Sequence, residues 1–359
     1  SYPGFYAGAG AIGTHPALKA VSPQAPVTNW FLGDDVYHRG AFFVQDNWGF
    51  SAWFDVLRKG LEEDHQGISS GDMREGAYKF YLSQGSSQGL EKNIAKGRIP
   101  YWKEIMEHPT YDAYWKARAL ETKMKGVKCA VLTVGGLFDA EDMWGAINLY
   151  QHTEKQNPGI FNAFVYGPWA HGQWAGEGKA LNGLDFGSDT SDWFQKNIEF
   201  PFFERYLNGG PDPKLAEATV FETGSNTWQR FETWPPAGLK PKAIFLNDDH
   251  TAGFAAPVKA GANSYVNDPS APTPYLADPK RGGRPGDLLA QDEAWNAKRK
   301  DVATYQSTLL AEPFRVAGPI DADVWVTTTG TDMDLVVKVL DVWPQGTPYA
   351  GQMRMVRSE

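Results

Sequence analysis

The chain has 359 residues, 42% of them hydrophobic and 21% charged, and a formal net charge of −9. That length allows two or three domains with a well-buried core. The acidic balance, without any basic run, excludes nucleic acid and anionic membrane surfaces as partners, and no stretch reaches the roughly 18 apolar residues of a membrane span. The single cysteine, Cys129, sits in an apolar strand pattern and excludes an internal disulfide, but leaves the compartment open. Fourteen Trp, 15 Tyr and 20 Phe suit an aromatic-walled pocket, a carbohydrate-binding surface or simply a large core.

Residues 1–38 read as helix, short strand and loop. Pro3 stands in a first-turn position, and the small residues of "YPGFYAGAGAIG" let a helix lie close against a sheet. "LKAVSPQAPV" is a short apolar strand ended by prolines. Residues 39–121 are aromatic-rich and helical in pattern ("EGAYKFYLSQG", "IPYWKEIMEH", "TYDAYWKARALETK"), as in a helical cap insertion. The α/β rhythm then returns over 122–210. "VKCAVLTVGG" and "GIFNAFVYGPW" are continuous apolar runs of the parallel-strand type. The amphipathic helix "AEDMWGAINLYQHTEK" lies between them, and "DTSDWFQKNIEFPFFERYLNG" is a helix closed by Asn208 and Gly209. After the linker "GGPDPKLAE", residues 216–359 carry short β-runs with Gly, Pro and Asp punctuation, the pattern of a β-sandwich or jelly roll. The chain starts at a serine and stops inside a strand pattern, so truncation at both ends is expected. The predicted fold class is α/β with a C-terminal β-domain.

Ser1 opens a Gly/Ala-rich helix pattern, which fits a strand–serine–helix elbow better than an N-terminal nucleophile running along a strand. An arbitrary first residue is the other reading. In an elbow, the helix N-terminus and the N–H of Tyr2 face the developing oxyanion. Asp139 follows the first apolar run and His171 the second, at strand ends where catalytic groups of open α/β sheets collect. The order serine, acid, histidine assigns attack to Ser1, proton transfer to His171 and orientation of the imidazole to Asp139. Asp139 as a helix N-cap and His171 as a structural loop histidine are the competing readings. His15, His38, His65, His108, His152 and His250 lack this strand context.

"DAEDMWG" crowds Asp139, Glu141 and Asp142 into four residues. Glu141 and Asp142 either complement the helix dipole or form, with the acids of "GDD", a pocket for a cationic substrate group. Asp34 and Asp35 lie after the strand that follows Ser1, and an Asx turn after Gly33 is their simpler reading. The pairs at 321–323 and 332–334 resemble calcium ligands weakly and read better as solvated loop ends. No metal or cofactor is called for. A non-catalytic carbohydrate-binding protein is the rival from another class, and it requires exposed Trp228, Trp234 and Trp325.

At these residues the chain resembles the α-amino acid ester hydrolases, within the α/β-hydrolase group of cocaine esterases and X-prolyl dipeptidyl peptidases. "SYPG" matches the second half of that family's nucleophile motif G-x-S-Y-x-G, and "GLFDAEDMWGA" and "GPWAHG" resemble its acid and histidine loops. The resemblance implies an α/β-hydrolase core, a helical cap and a jelly roll. It implies Ser1, Asp139 and His171 as the triad, the Tyr2 N–H as one oxyanion donor, and Asp35, Glu141 and Asp142 as ligands of a substrate α-amino group. The family's upstream tyrosine, the second oxyanion donor, has no counterpart here. The implied reaction is hydrolysis of, or acyl transfer from, esters and amides of α-amino acids, aminoacyl β-lactams included. An X-Pro dipeptidyl peptidase or a general acyl esterase is the alternative. The implied partner is a small molecule with a free α-amino group. A periplasmic or secreted location and a homo-oligomer are compatible with the resemblance.

Overall fold

The computed structural model describes residues 1–56, 60 and 67–358. The first of two compact units comprises residues 1–234, 280–290 and 332–335. Its centre is a five-stranded sheet made of β1 (Ala20–Val21), β2 (Ala130–Gly136), β3 (Asn162–Gly167), β4 (Ala218–Glu222) and β5 (Thr227–Phe231), in that spatial order. The first four strands run parallel, with Ala20 opposite Ala130, Val131 opposite Asn162 and Phe164 opposite Ala218. β2 and β3 are buried along their whole length, which is why they read as unbroken apolar runs rather than alternating ones.

Helix α1 (Tyr2–Ala11) has Ser1 at its N-cap and Pro3 in its first turn. A Cβ on Gly4 would stand 2.4 Å from the Gln24 carbonyl oxygen, and one on Gly8 would meet Leu149 and Leu120 at 3.2 and 3.3 Å. The small residues therefore let the helix sit directly on the strand loop, as their spacing suggests. The helix Met143–Gln156 follows β2 and packs on β2 and β3. Further on, Gln195–Glu199 forms a π-turn ahead of Pro201, and Gly209 ends the following helix Phe200–Asn208 with φ +70°.

Four of the helices in the aromatic-rich stretch are Val44–Phe54, Ala77–Gln84, Pro100–Glu107 and Ala113–Arg118. The first three contribute to a satellite core in which Trp48 and Trp102 meet edge to face, 5.0 Å between centroids, while Trp115 of the fourth packs in a second cluster with Phe31, Tyr37 and Ile105. A two-residue ladder, Tyr37–His38 with Ala41–Phe42, leads into them.

The structure departs from the sequence reading at the C-terminal side of this unit. "ATVFETG" and "TWQRFETWPP", assigned above to the β-domain from residue 216, are β4 and β5 and extend the central sheet. The cause is long-range packing: Trp228 stacks on Trp193 at 4.7 Å and meets Trp169 at 5.7 Å, and Trp234 packs on Phe164 and Phe231. Two of the three tryptophans proposed as exposed carbohydrate platforms are thus packed against rings of the core.

The second unit comprises residues 235–279, 291–331 and 336–359. It holds the antiparallel pairs Phe245–Leu246 with Ala252–Gly253 and Lys338–Val342 with Met353–Ser358. Residues 314–330, within the stretch read as short β-runs, join no ladder among the described residues, and Trp325 is 98% exposed. A strand exists only where a second backbone accepts its hydrogen bonds, and alternation by itself does not supply one.

Candidate active site

The loop after β2 is held tightly, because a Cβ on Gly136 would lie 2.2 Å from the Trp169 carbonyl oxygen. It presents Asp139, whose side chain is buried. One carboxylate oxygen, Oδ1, accepts the backbone N–H groups of Glu141 (2.9 Å) and Asp142 (3.1 Å). The other, Oδ2, lies 2.9 Å from His171 Nδ1. The helix N-cap is Asp142 rather than Asp139, which instead holds the preceding turn with one oxygen and faces the imidazole with the other.

The loop after β3 carries His171 between two anchored tryptophans. Trp169 Nε1 donates to Thr190 Oγ1 at 2.9 Å, and Trp174 Nε1 donates to Gln24 Oε1 at 2.8 Å while its ring meets the imidazole edge-on at 5.9 Å. His171 Nδ1 is also 3.6 Å from Asp142 Oδ2, and Nε2 is 3.7 Å from Glu141 Oε2. Burial lowers the affinity of the imidazole for a proton, but Asp139 and Glu141 outweigh it and hold the group above its ordinary 6.5.

Ser1 caps α1 at the edge of this cluster. Its main-chain nitrogen contacts the Asp142 carboxylate and donates to the Ala25 carbonyl at 2.6 Å. Among the described residues no hydrogen bond joins the Ser1 hydroxyl to His171. The Tyr2 N–H, the first of the helix, has no acceptor among them either, which leaves it available to an anion.

Asp34 is a buried anchor. It accepts from Thr28 N (2.8 Å), Thr28 Oγ1 (3.0 Å), Asn29 N (2.9 Å) and, across the site, Gly145 N (2.7 Å). Burial pushes its carboxyl up to about 7 against these donors. The next residue, Asp35, takes φ +44°, and Asn47 Nδ2 donates to its carbonyl at 2.9 Å, so the left-handed turn is held from outside. Asp35 lies close enough to Glu141, Asp139 and His171 to couple with them, and burial raises it to about 6. Glu141 and Asp142 thus lie against His171, and Asp35 is near enough to feel the charges of Glu141, Asp139 and His171. Ligand atoms of Glu141, Asp142 and His171 lie within 4.8 Å of one another, a set able to receive a cation.

Two residues at the site escaped the sequence reading. Arg284 Nε donates to Asp46 Oδ1 and Oδ2 at 3.0 and 2.8 Å, and its Nη2 donates to Glu141 Oε1. Asp46 sits in the first turn of helix Val44–Phe54, and Arg284 in a Gly/Pro-rich loop. Neither carries a local signal of function. Of the competing histidines, His108 pairs with Asp112 at 2.6 Å and His250 bonds the Thr304 carbonyl, while His65 lies outside the described residues.

Comparison with known proteins gives the family and the fold of the chain. Residues 1–173 match the X-Pro dipeptidyl-peptidase (S15 family) model, and residues 213–357 match the model of the X-Pro dipeptidyl-peptidase C-terminal non-catalytic domain. Cocaine esterase of Rhodococcus sp. (strain MB1 Bresler) is 23% identical over 374 residues, spanning 98% of this chain and 62% of the relative. An aminopeptidase from a marine sediment archaeon (Thaumarchaeota archaeon) superposes with TM-score 0.89 at 33% identity, over all of this chain and 60% of that one. An α-amino acid ester hydrolase superposes with TM-score 0.89 at 30% identity, over 99% of this chain and 60% of that one. The chain thus spans about three fifths of the length of these relatives. With both models matched in chain order and the same fold throughout, the chain belongs to the X-Pro dipeptidyl-peptidase and cocaine esterase group of α/β-hydrolases.

Proposed function

We propose that the protein is a serine hydrolase acting on esters and amides whose acyl part carries a free α-amino group. The observation that carries the reading is the Asp139–His171 pair at 2.9 Å with Glu141 and Asp142 at 3.7 and 3.6 Å from the same imidazole, and Asp35 near enough to feel its charge. In the proposed mechanism His171 Nε2 takes the hydroxyl proton as Ser1 Oγ bonds to the substrate carbonyl carbon. Asp139 holds the proton on Nδ1 and stabilises the imidazolium. The oxyanion meets the Tyr2 N–H and the positive end of α1. Nε2 then returns the proton to the departing oxygen or nitrogen as that bond breaks, leaving an acyl-enzyme on Ser1. Water, or an amine in acyl transfer, repeats the two steps and frees the serine. Aminoacyl β-lactams fall within this substrate class.

The carboxylates supply the preference for an amine. An ammonium about 4 Å from one of them gains about 4 kcal/mol at an effective dielectric near 20. The similarity to an archaeal aminopeptidase at 33% identity favours a second reading on the same site, removal of N-terminal residues from peptides. A dipeptidyl peptidase of the X-Pro type would depend on proline at the second position; a general acyl esterase would ignore the amine. Labelling of the full-length protein with a fluorophosphonate, followed by peptide mapping, tests the nucleophile. The adduct is expected on Ser1 and is lost in Ser1→Ala together with turnover; an adduct elsewhere overturns the assignment.

A further inference from the structure

We propose that Arg284 is a specificity-determining residue of this site, withdrawing Glu141 from recognition of a substrate amine and leaving that task to Asp35 and Asp142. The inference rests on the amine-recognising reading above and divides its carboxylate trio.

The three carboxylates differ in what already holds them. Glu141 Oε1 accepts from Arg284 Nη2, and the same guanidinium is forked onto Asp46. Asp142, fully buried, has Oδ2 against the Ser1 main-chain nitrogen but keeps its Oδ1 without a hydrogen-bond partner among the described residues, and Asp35 is engaged by no cationic side chain in the way Glu141 is. A buried acceptor without a donor is costly and is relieved by an arriving N–H group. Glu141 offers no such relief. A second cation approaching it meets a guanidinium already paired there and is repelled by it.

Arg284 is held in place by its own segment as well as by its charge. The Ala77 N–H donates to the Arg281 carbonyl at 2.9 Å, and Asn182 Nδ2 donates to the Ala290 carbonyl at 3.0 Å. Ala290 is fully buried in a cluster with Phe138, Phe186 and Phe221. The segment 280–290 thus belongs to the first compact unit although it lies inside the stretch matched by the non-catalytic domain model. The Arg284 side chain is 12% exposed, so its pairing is little screened by solvent. Only a planar fork can serve Asp46 and Glu141 at once in this way.

The test is the ratio of kcat/KM for an α-amino acyl ester to that for its N-acetyl derivative, in the full-length protein and its variants. Asp35→Asn is expected to lower the ratio about tenfold or more, and Glu141→Gln less than about threefold. Arg284→Gln frees Glu141 and is expected to raise the ratio about tenfold, chiefly through KM for the amine substrate. Adding Glu141→Gln to Arg284→Gln should return the ratio to near its starting value, and Arg284→Lys should fall between. The proposal is overturned if Glu141→Gln lowers the ratio as much as Asp35→Asn does. It is overturned equally if Arg284→Gln lowers both substrates alike together with the melting temperature, the mark of a purely structural residue. If the unsubstituted protein shows no preference for the free amine, the functional reading fails and this inference with it. A preserved preference that Arg284→Gln leaves unchanged sinks this inference alone.

Discussion

His171 Nδ1 lies 2.9 Å from Asp139 Oδ2, and the opposite oxygen of that carboxylate is held by the N–H groups of Glu141 and Asp142. The turn that starts the helix after β2 is therefore the same object that aims the imidazole. Asp139 has no freedom to follow the ring if the ring moves, which is what orientation of a general base requires.

Asp139→Asn puts the contact at the centre of that turn to the test. An amide NH₂ facing Nδ1 favours the wrong tautomer, so kcat/KM is expected to fall about 10³- to 10⁴-fold, the range found when a triad acid is lost. Steady-state turnover and thermal unfolding of the same sample separate this from simple unfolding. A loss under tenfold would remove Asp139 from the mechanism.

The pH profile carries the electrostatics. His171 is held above 6.5, and as the proposed base it must be neutral to accept the serine proton. Raising its pKa moves the protonated, inactive form to higher pH, so the acidic limb of kcat/KM is expected above 6.5. Glu141→Gln removes one group that holds the proton and should shift the limb down. A limb that stays put would show that Glu141 does not act on the imidazole. Discrimination for the amine should fade as pH falls through about 6, where Asp35 takes up its proton.

Asp34 accepts four hydrogen bonds and offers none, so an amide in its place turns an NH₂ against donors. Asp34→Asn is expected to destabilise the first unit by about 2–3 kcal/mol, read as a lower urea midpoint. The link from Asp34 Oδ1 to Gly145 N ties the loop bearing Asp35 to the helix behind Glu141. A neutral effect would mean that the two loops hold their positions without it.

Much of the site was legible because its carriers obey local rules. β2 and β3 are buried on both faces and read as continuous apolar runs, so Asp139 and His171 could be found at their ends. Gly4 and Gly8 announce the close approach of α1. Arg284 could not be found this way. It lies 143 residues beyond Glu141, and what brings it there is the burial of Ala290 and the bond from Ala77, contacts that no neighbouring residue encodes. β4 and β5 show the same limit: short β-runs suit a sandwich or a sheet edge equally, and their pairing with β3 and with each other in the central sheet is a long-range contact. Residues 314–330 show the converse case, a strand pattern without a partner strand among the described residues.

The most direct measurement compares kcat/KM of the full-length protein for phenylglycine methyl ester and for its N-acetyl derivative at pH 7 to 8. The carboxylates about His171 lead us to expect a preference for the free amine on the order of a hundredfold or more. Equal rates on the two esters would contradict amine recognition and leave an acyl esterase with an acidic helix start.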